Sequence, residues 1–296
     1  MPFGQLVIGP PGAGKSTYCT GMCDIANQMG RKTIVCNLDP GSGSLTYEPT
    51  IDVRDLVTVQ DVQDELDLGP NGALLHCMEY LLEETDWLVA ELAKHEDCYV
   101  LFDLPGQVEL FSCHTALRDI VRALQKDGGW ELVTVHLCDS CLLIDTSKYI
   151  SMALLSLSQM CMFETPSVNV LSKIDIGGRE GLPFNMSDYT DGLHIHTIAE
   201  SLPSLPSIQR FKTLNTSVGE ILDTFGLVSF CPCSVTDSKL MKAVLSRADR
   251  ALGYTMRTLA QAPADQYSLD EVLAATSDTG AVSDDMVQDA LRNYGL

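Results

Sequence analysis

Short apolar runs alternate along the chain with longer segments in which apolar residues recur every three or four positions. Apolar runs of roughly four to eight residues are typical of buried strands, and the longer spacing is typical of amphipathic helices. The runs that predict strands are 5–8, 33–38, 99–103, 132–138, 168–171 and 227–230. This alternation predicts an α/β fold with a mainly parallel, roughly six-stranded sheet and helices on both faces.

The segments between these runs predict the helices and the domain limits. Helices are expected over 17–29, 51–65, 73–94, 111–124 and 237–258. The stretch 69–72 (Gly-Pro-Asn-Gly) is predicted to be a loop, because proline fixes φ and glycine permits tight turns. Residues 177–226 carry almost no strand pattern and contain several prolines, which predicts a helical insertion. Residues 1–260 therefore form the expected domain, and 261–296 an acidic C-terminal tail with short helices that order on a partner.

The stretch Gly9–Ser16 matches the phosphate-binding pattern G-x-x-x-x-G-K-[ST], with a predicted strand before it and a predicted helix after it. Its glycines let successive backbone N–H groups face an anion, and the new helix adds its positive end. Lys15 would reach the β- and γ-phosphates, and the Ser16 hydroxyl would bind Mg²⁺. The residues predicted to cradle the phosphates are Gly12, Ala13, Gly14, Lys15, Ser16 and Thr17. This segment predicts that the protein binds a nucleoside triphosphate.

Composition narrows the class of protein. The 296 residues carry 19 Lys and Arg against 40 Asp and Glu, a formal charge of −21, which argues against direct binding to nucleic acid. Apolar runs stay well short of the ~18 residues of a membrane span, and the first strand begins too early for a signal peptide. Eleven cysteines favour reduced thiols in the cytosol or nucleus. The pair Cys138 and Cys141 is expected at a buried strand end and not in a zinc site, which needs more ligands.

Two predicted strands end in aspartate, where parallel sheets place their chemistry. Asp39 is either a catalytic carboxylate or the start of a Pro-Gly turn, and the pattern leaves both open. Asp103 has the Walker B arrangement, in which a carboxylate binds Mg²⁺ directly or through water. Gln107 and Glu109 follow on a Pro-Gly segment of the kind that can rearrange with the γ-phosphate. They are predicted to orient or deprotonate a water molecule.

A base-reading loop is predicted after the fifth strand. There Ser172-Lys173-Ile174-Asp175 approximates N-K-x-D, whose aspartate accepts hydrogen bonds from the N1–H and N2–H₂ groups of guanine. The serine in first position weakens the match, but Lys173 and the discriminating Asp175 are retained. Ser234 and Val235 follow the sixth strand and are expected to flank the base.

Together these stretches resemble the GPN-loop GTPases over roughly residues 3–254. The matching stretches are 9–17, 37–40, 69–72, 103–109 and 172–175. The resemblance implies a parallel sheet, dimers, GTP and GDP as ligands, Mg²⁺-dependent GTP hydrolysis, and a role in RNA polymerase assembly and nuclear import. It implies partners among paralogues (as a homodimer or a heterodimer), polymerase subunits or assembly chaperones. It also implies a cytoplasmic location, with shuttling to the nucleus left open.

The resemblance also implies roles for individual residues. Asp39, Gln107 and Glu109 would act on the attacking water, and Asp103 would help to hold Mg²⁺. Asn71 would reach into the partner's site, whereas spacing alone would make it a turn residue. The Gly-Ser run after Pro40 stands where the family has Ala-Asn, which predicts a looser loop beside Asp39.

Two rival functions remain at this stage. An ATP-dependent kinase is one, because Ser172 departs from the guanine motif; against it, residues 177–222 hold only Arg179 and Arg210 as lid arginines. A non-catalytic, nucleotide-dependent scaffold is the other, and the presence of Gln107 and Glu109 argues against it. Comparing the binding of GTP with that of ATP separates the GTPase from the kinase. Comparing hydrolysis with binding separates the GTPase from the scaffold.

Overall fold

The computed structural model describes residues 2–177, 182–191, 195–201, 211–254 and 284–294. Within these ranges the chain divides into two compact units. The first contains residues 1–135 and 162–167, and the second contains 136–161 and 168–296. Arg179, Arg210, residues 202–206 with their two prolines and the first part of the predicted tail lie outside the described residues.

Seven strands form one sheet. They are β1 (Phe3–Ile8), β2 (Thr33–Asn37), β3 (Ile51–Asp52), β4 (Tyr99–Asp103), β5 (Glu131–Asp139), β6 (Ser167–Ser172) and β7 (Phe230–Pro232). Their order is β3-β2-β4-β1-β5-β6-β7. The strands are parallel: β1 pairs with β4 at Val7 and Asp103, and β2 pairs with β4 at Asn37 and Asp103. The carboxyl ends of β1, β2 and β4 therefore meet at one edge of the sheet.

The helices connect these strands. They are α1 (Lys15–Gln28), α2 (Val59–Leu66), α3 (Pro70–Glu83), α4 (Thr85–Ala93), α5 (Val108–Ser112), α6 (Ala116–Lys126), α7 (Thr146–Phe163), α8 (Ile174–Gly177), α9 (Met186–Thr190), α10 (Ile195–Glu200), α11 (Lys212–Phe225), α12 (Ser238–Leu252) and α13 (Asp284–Asn293). Among the residues that the structure describes, no helix is both long enough and apolar enough to cross a membrane.

Burial explains the strand pattern. All six residues of β1 and all five of β4 are buried, as expected for central strands covered on both faces. Gly4 in β1 leaves no room for a side chain, because an added Cβ would lie 2.8 Å from both the Phe102 ring and the Val100 carbonyl. Because β1 and β4 are buried on both faces, neither strand shows the alternation of apolar and polar residues that is typical of a half-exposed strand.

The second unit has its own core and contains a buried polar cluster. Its apolar core includes Tyr149, Tyr189 and Phe230, and the C-terminal helix α13 contributes Ala290 and Leu291. Beside this core the His136 ring places Nδ1 3.1 Å from Ser156 Oγ. Because His136 is fully buried, desolvation lowers its pKa to about 4.

Several predicted elements are corrected by the structure. The sheet has seven strands where six were expected, because the helix predicted over 51–65 is instead β3, a 3₁₀ turn (Val53–Asp55) and α2. Ile51 is buried opposite Cys36 of β2, but a two-residue strand is too short to show a period. The last strand begins at Phe230, three residues later than predicted, and α7 has no counterpart among the predicted elements.

The helices also depart from prediction. The loop expected at 69–72 is the first turn of α3, with Gly69 as N-cap and Pro70 as the first helical residue, a position that does not need the missing N–H. The long helix predicted over 73–94 is broken at Glu84, where the Thr85 hydroxyl donates to the Leu82 carbonyl. The helix predicted over 111–124 is likewise two helices, α5 and α6.

Candidate functional site

The loop between β1 and α1 has the backbone that its glycines permit. Gly9, Gly12 and Gly14 have φ values of 149°, 80° and 94°, which disfavour a side chain. Ala13 N–H donates to the Pro10 carbonyl across the loop. Gly14 is the N-cap of α1, and the first turn of that helix carries no acidic residue. The positive end of α1 therefore faces the loop without an acidic side chain to offset it.

Lys15 is the cation of this loop. Its ammonium donates to the Gly9 carbonyl at 3.1 Å. Burial lowers the pKa of Lys15, and the charges of Asp103 and Asp39 oppose that shift. The two carboxylates at the ends of β4 and just after β2 therefore lie around the same ammonium group.

Asp103 is suited to hold a divalent cation. Its side chain is buried, with the residue only 2% exposed, and burial raises its pKa against the opposing hydrogen bonds from Tyr47 and Ser16. Oδ1 of Asp103 has no hydrogen-bond partner among the described residues. Mg²⁺ retains several waters and needs only one or two protein ligands beside phosphate oxygens. A buried carboxylate oxygen without a partner, on an aspartate that Ser16 also contacts, fits such an ion.

Asp39 is held by Asn37, the last residue of β2, which is itself bound to Asp52 of β3. Asp39 N–H donates to Asn37 Oδ1 at 3.2 Å, and Asn37 Nδ2 lies 2.9 Å from Asp52 Oδ1 and 3.1 Å from Ser42 Oγ. The Gly41 N–H donates to Asp39 Oδ1 at 3.0 Å. Burial raises the pKa of Asp39, while the Gly41 N–H and Lys15 lower it. A carboxylate with a raised pKa beside a phosphate loop is suited to accept a proton.

The loop after Asp39 is braced by a guanidinium that the sequence analysis missed. Arg54 binds both carboxylate oxygens of Asp52, with contacts of 2.6–3.0 Å. Its NH1 group donates to the carbonyls of Ser42 and Gly43 at 3.2 and 3.0 Å. The Gly-Ser run therefore has specific anchors in spite of its composition. The one sequence signal of this contact was the pair of opposite charges, Asp52 and Arg54, two residues apart.

The segment after Asp103 lies directly on the phosphate loop. A Cβ added to Gly106 would lie 2.8 Å from Lys15 Nζ and 3.3 Å from Pro11 Cα. Gln107 follows as the N-cap of α5, and its Oε1 is buried with no hydrogen-bond partner among the described residues. Glu109 lies in the first turn of α5 and is exposed. Gln107 thus has an unsatisfied acceptor next to the site, whereas no hydrogen bond or ion pair joins Glu109 to Lys15 or Asp39 in the part of the chain described.

Other predicted residues of the first unit lie at its surface. Thr17 is exposed on α1. Asn71 is exposed in the first turn of α3, between Pro70 and Gly72, which are also exposed. An exposed amide at a helix N-terminus is available to another molecule, and no hydrogen bond joins it to the phosphate loop among the described residues.

The second unit brings the predicted base-reading residues together. Ser234 is buried, and its hydroxyl donates to Asp175 Oδ1 at 2.9 Å. Lys173 has a φ of 59°, a left-handed conformation that is unusual for a lysine, and its ammonium donates to Asp139 Oδ2 at 2.7 Å. Burial raises the pKa of Asp139, but hydrogen bonds from Lys173 and from the Cys141 N–H outweigh it and leave that pKa lowered. Val235 lies beside them and is 37% exposed.

Ser172 has a structural role in this cluster. Its hydroxyl donates to the Cys138 carbonyl at 3.1 Å, which joins the end of β6 to the end of β5. The serine therefore fixes the start of the loop that carries Lys173 and Asp175. Cys138 is buried and Cys141 is exposed, and the described residues contain no cluster of three or more potential metal-binding His, Cys, Asp or Glu side chains.

Comparison with known proteins identifies the family. A family model described as "conserved hypothetical ATP binding protein" matches residues 7–254. GPN-loop GTPase 2 of Danio rerio is 45% identical over 255 residues, covering 86% of this chain and 82% of that protein. The chain belongs to the GPN-loop GTPase family.

Further relatives agree with this membership. GPN-loop GTPase 2 of Schizosaccharomyces pombe is 41% identical over 255 residues, covering 86% of this chain and 81% of the relative. The crystal structure of a GTPase in apo form from Pyrococcus abyssi matches with a TM-score of 0.66 at 21% identity, covering 84% of this chain and 97% of that one. The archaeal structure supports the fold of this family member. The family model's description names ATP, whereas the relatives are named GTPases. The choice between adenine and guanine therefore depends on the residues of the site.

Proposed function

We propose that this family member is a Mg²⁺-dependent enzyme that hydrolyses GTP to GDP and phosphate. The observation that carries the proposal is the pairing of β2 and β4 at Asn37 and Asp103, which brings Asp39 and Asp103 to the same edge of the first unit as Lys15. Lys15 neutralises the β- and γ-phosphates, and the glycine-rich loop supplies backbone donors. Ser16 and Asp103 would hold Mg²⁺, which would offset negative charge on the phosphates.

The attacking water is handled by side chains on two loops. Asp39 is the candidate to accept its proton, because burial raises the pKa of this carboxyl while hydrogen bonds keep it in place. The buried, unpartnered Oε1 of Gln107 is suited to accept a hydrogen bond from the water. Glu109, exposed on α5, reaches the water only if the segment after Asp103 rearranges, as γ-phosphate-sensing segments do.

Guanine is the proposed base. Asp175 accepts hydrogen bonds from N1–H and N2–H₂ of guanine, whereas adenine has no donor at those positions. Ser234 and Lys173 hold the loop in the form needed for that contact.

Steady-state hydrolysis of GTP and ATP, each with Mg²⁺ and with excess EDTA, tests these assignments together. The proposal expects Mg²⁺-dependent phosphate release with a kcat/KM for GTP that exceeds that for ATP by at least about tenfold. Equal rates with ATP would favour the kinase hypothesis, which a search for a phosphorylated acceptor then tests. Nucleotide binding without phosphate release would favour the scaffold hypothesis.

A dimeric switch that acts in RNA polymerase assembly and nuclear import is the proposed biological role. It rests on the family resemblance, and the acidic charge of −21 and the apolar surface of α11 support a protein partner. Leu214, Ile221 and Phe225 are exposed there at helical spacing. This role is tested by purifying the tagged full chain in the presence of GTP or of GDP and identifying the proteins that co-purify. More polymerase subunits, assembly chaperones or paralogues are expected in one nucleotide state than in the other.

A further inference from the structure

Tyr47 reaches the proposed metal site from the loop that begins at Asp39. Its hydroxyl donates to Asp103 Oδ2 at 2.7 Å, across 56 residues of sequence. The tyrosine is half-buried, while its loop neighbours Thr46 and Glu48 are exposed. It is therefore the aromatic side chain of this loop that turns inward, and its hydroxyl meets the Walker B carboxylate there.

The residue before Tyr47 is fixed on the phosphate-loop helix. Thr46 Oγ1 donates to the Ser16 carbonyl at 3.3 Å and lies 2.7 Å from Thr20 Oγ1. Thr20 also donates to the Ser16 carbonyl, at 2.9 Å. Thr46 thus contacts the backbone carbonyl of Ser16, the residue whose hydroxyl would hold Mg²⁺, and Tyr47 contacts Asp103 directly.

The hydrogen bond from Tyr47 leaves one carboxylate oxygen of Asp103 unused. Oδ2 accepts from the tyrosine, and Oδ1 is buried with no partner among the described residues. A carboxylate held at one oxygen cannot rotate freely, so the other oxygen keeps a fixed direction. Groups that hydrogen-bond to a metal ligand in this way set its orientation and its affinity for the metal.

We propose that Tyr47 is a positioning residue for Mg²⁺: its hydroxyl orients Asp103 so that Oδ1 faces the ion or one of its waters. This inference rests on the proposed Mg²⁺ site. It also links metal occupancy to the loop of Asp39, because one continuous loop carries Asp39 and Tyr47. Release of the metal and movement of the catalytic loop are then coupled through the Tyr47–Asp103 hydrogen bond.

The test is the Mg²⁺ affinity of the full chain bound to a non-hydrolysable GTP analogue, measured by calorimetric titration. Tyr47→Phe, which removes only the hydroxyl, is expected to raise the Kd for Mg²⁺ by about tenfold, the lower end of what loss of such a partner produces. Binding of the analogue in EDTA should stay unchanged. In an Asp103→Ala background Tyr47→Phe should have no further effect on the Mg²⁺ Kd, because its partner is absent.

Tyr18→Phe is the matched control, since the Tyr18 hydroxyl donates to Gln5 Oε1 of β1 at 2.9 Å. It should leave the Mg²⁺ Kd unchanged. Tighter Mg²⁺ binding by Tyr47→Phe would show that the hydroxyl competes with the metal, and an unchanged Kd would show that it has no influence; either result overturns the inference while the metal site stands. Wild-type binding of the analogue that does not respond to Mg²⁺ would overturn the site and the inference together.

Discussion

Arg54 donates to both carboxylate oxygens of Asp52, and the same guanidinium donates to two carbonyls of the loop that follows Asp39. Asp52 in turn accepts from the Asn37 side chain, whose Oδ1 accepts from the Asp39 N–H. A chain of hydrogen bonds therefore runs from β3 to the candidate general base. Since the planar fork of arginine makes these contacts simultaneously, a lysine cannot replace it.

Arg54→Lys should lower kcat for GTP by about tenfold with little change in KM, because a displaced base affects the chemical step more than nucleotide binding. Steady-state kinetics measures both constants. Lys32→Ala is a suitable control, since Lys32 forms an exposed ion pair with Asp97 at 2.7 Å, away from the Asp39 loop. A loss of GTP affinity equal to the loss of kcat/KM would assign Arg54 to binding instead.

Asp175→Asn should shift nucleotide preference from GTP towards XTP. The carboxylate accepts from the two donors of guanine, whereas an amide can donate to the 2-oxo group of xanthine. The loss of GTP affinity should be about 1–3 kcal/mol, by analogy with other bidentate base contacts. Competition of unlabelled GTP, XTP and ATP against a fluorescent nucleotide gives the ranking. If the wild type binds ATP as tightly as GTP, residues 172–175 do not read the base.

Gln107→Ala and Glu109→Ala should each lower kcat with little change in the Kd for a non-hydrolysable GTP analogue. That pattern is expected of side chains that act mainly in the transition state. Single-turnover phosphate release and equilibrium binding separate the two effects. A variant that hydrolyses bound GTP normally but binds it poorly would show that the side chain holds the ground state.

Asn71 should act in the site of a partner copy. A neutral side chain offers a donor and an acceptor but no charge, so Asn71→Ala should lower kcat by roughly 10–10³-fold, less than loss of an arginine finger. Mixing Asn71→Ala with Lys15→Ala should restore activity, because in a mixed dimer the intact phosphate loop of the first faces the intact Asn71 of the second. Mixed dimers that stay inactive would confine Asn71 to its own subunit.

His136 should make the protein less stable in mild acid. Burial lowers its folded pKa to about 4, below the unfolded value of about 6.5. The unfolded chain therefore binds the proton first, and the stabilisation present above pH ~6.5 is lost as pH falls towards 4, with a slope of at most about 1.4 kcal/mol per pH unit. The free energy of unfolding, measured with urea between pH 7 and 4.5, should fall less steeply with pH for His136→Gln than for wild type. Parallel declines would mean that other groups dominate.

Local signals account for what the sequence predicted well. The bounds of β4, 99–103, were predicted because a fully apolar run ends abruptly at a charged residue. The phosphate loop was recognisable because glycine spacing, the lysine and the flanking elements all fall within one short stretch.

The contacts that were missed are those between distant parts of the chain. Tyr47 lies in a polar loop with no period, and its partner Asp103 comes 56 residues later. Arg54 supports the Asp39 loop through carbonyl groups, which leave no mark in the sequence. The start of α3 at Pro70 was missed for a different reason, because glycine and proline favour turns as well as first helical turns.

The pairing of β1 has a consequence for how the enzyme is made. Both sheet neighbours of β1, β4 and β5, lie far downstream, and Gly4 pairs with Val100. During translation the phosphate loop therefore leaves the ribosome long before the strand that supports it. Such distant pairing slows folding, so an emerging chain carries the nucleotide motif for many seconds without a nucleotide site. Bound nucleotide then cannot assist the earliest steps of folding. Polypeptides truncated before residue 103 should therefore not be retained on a GTP resin.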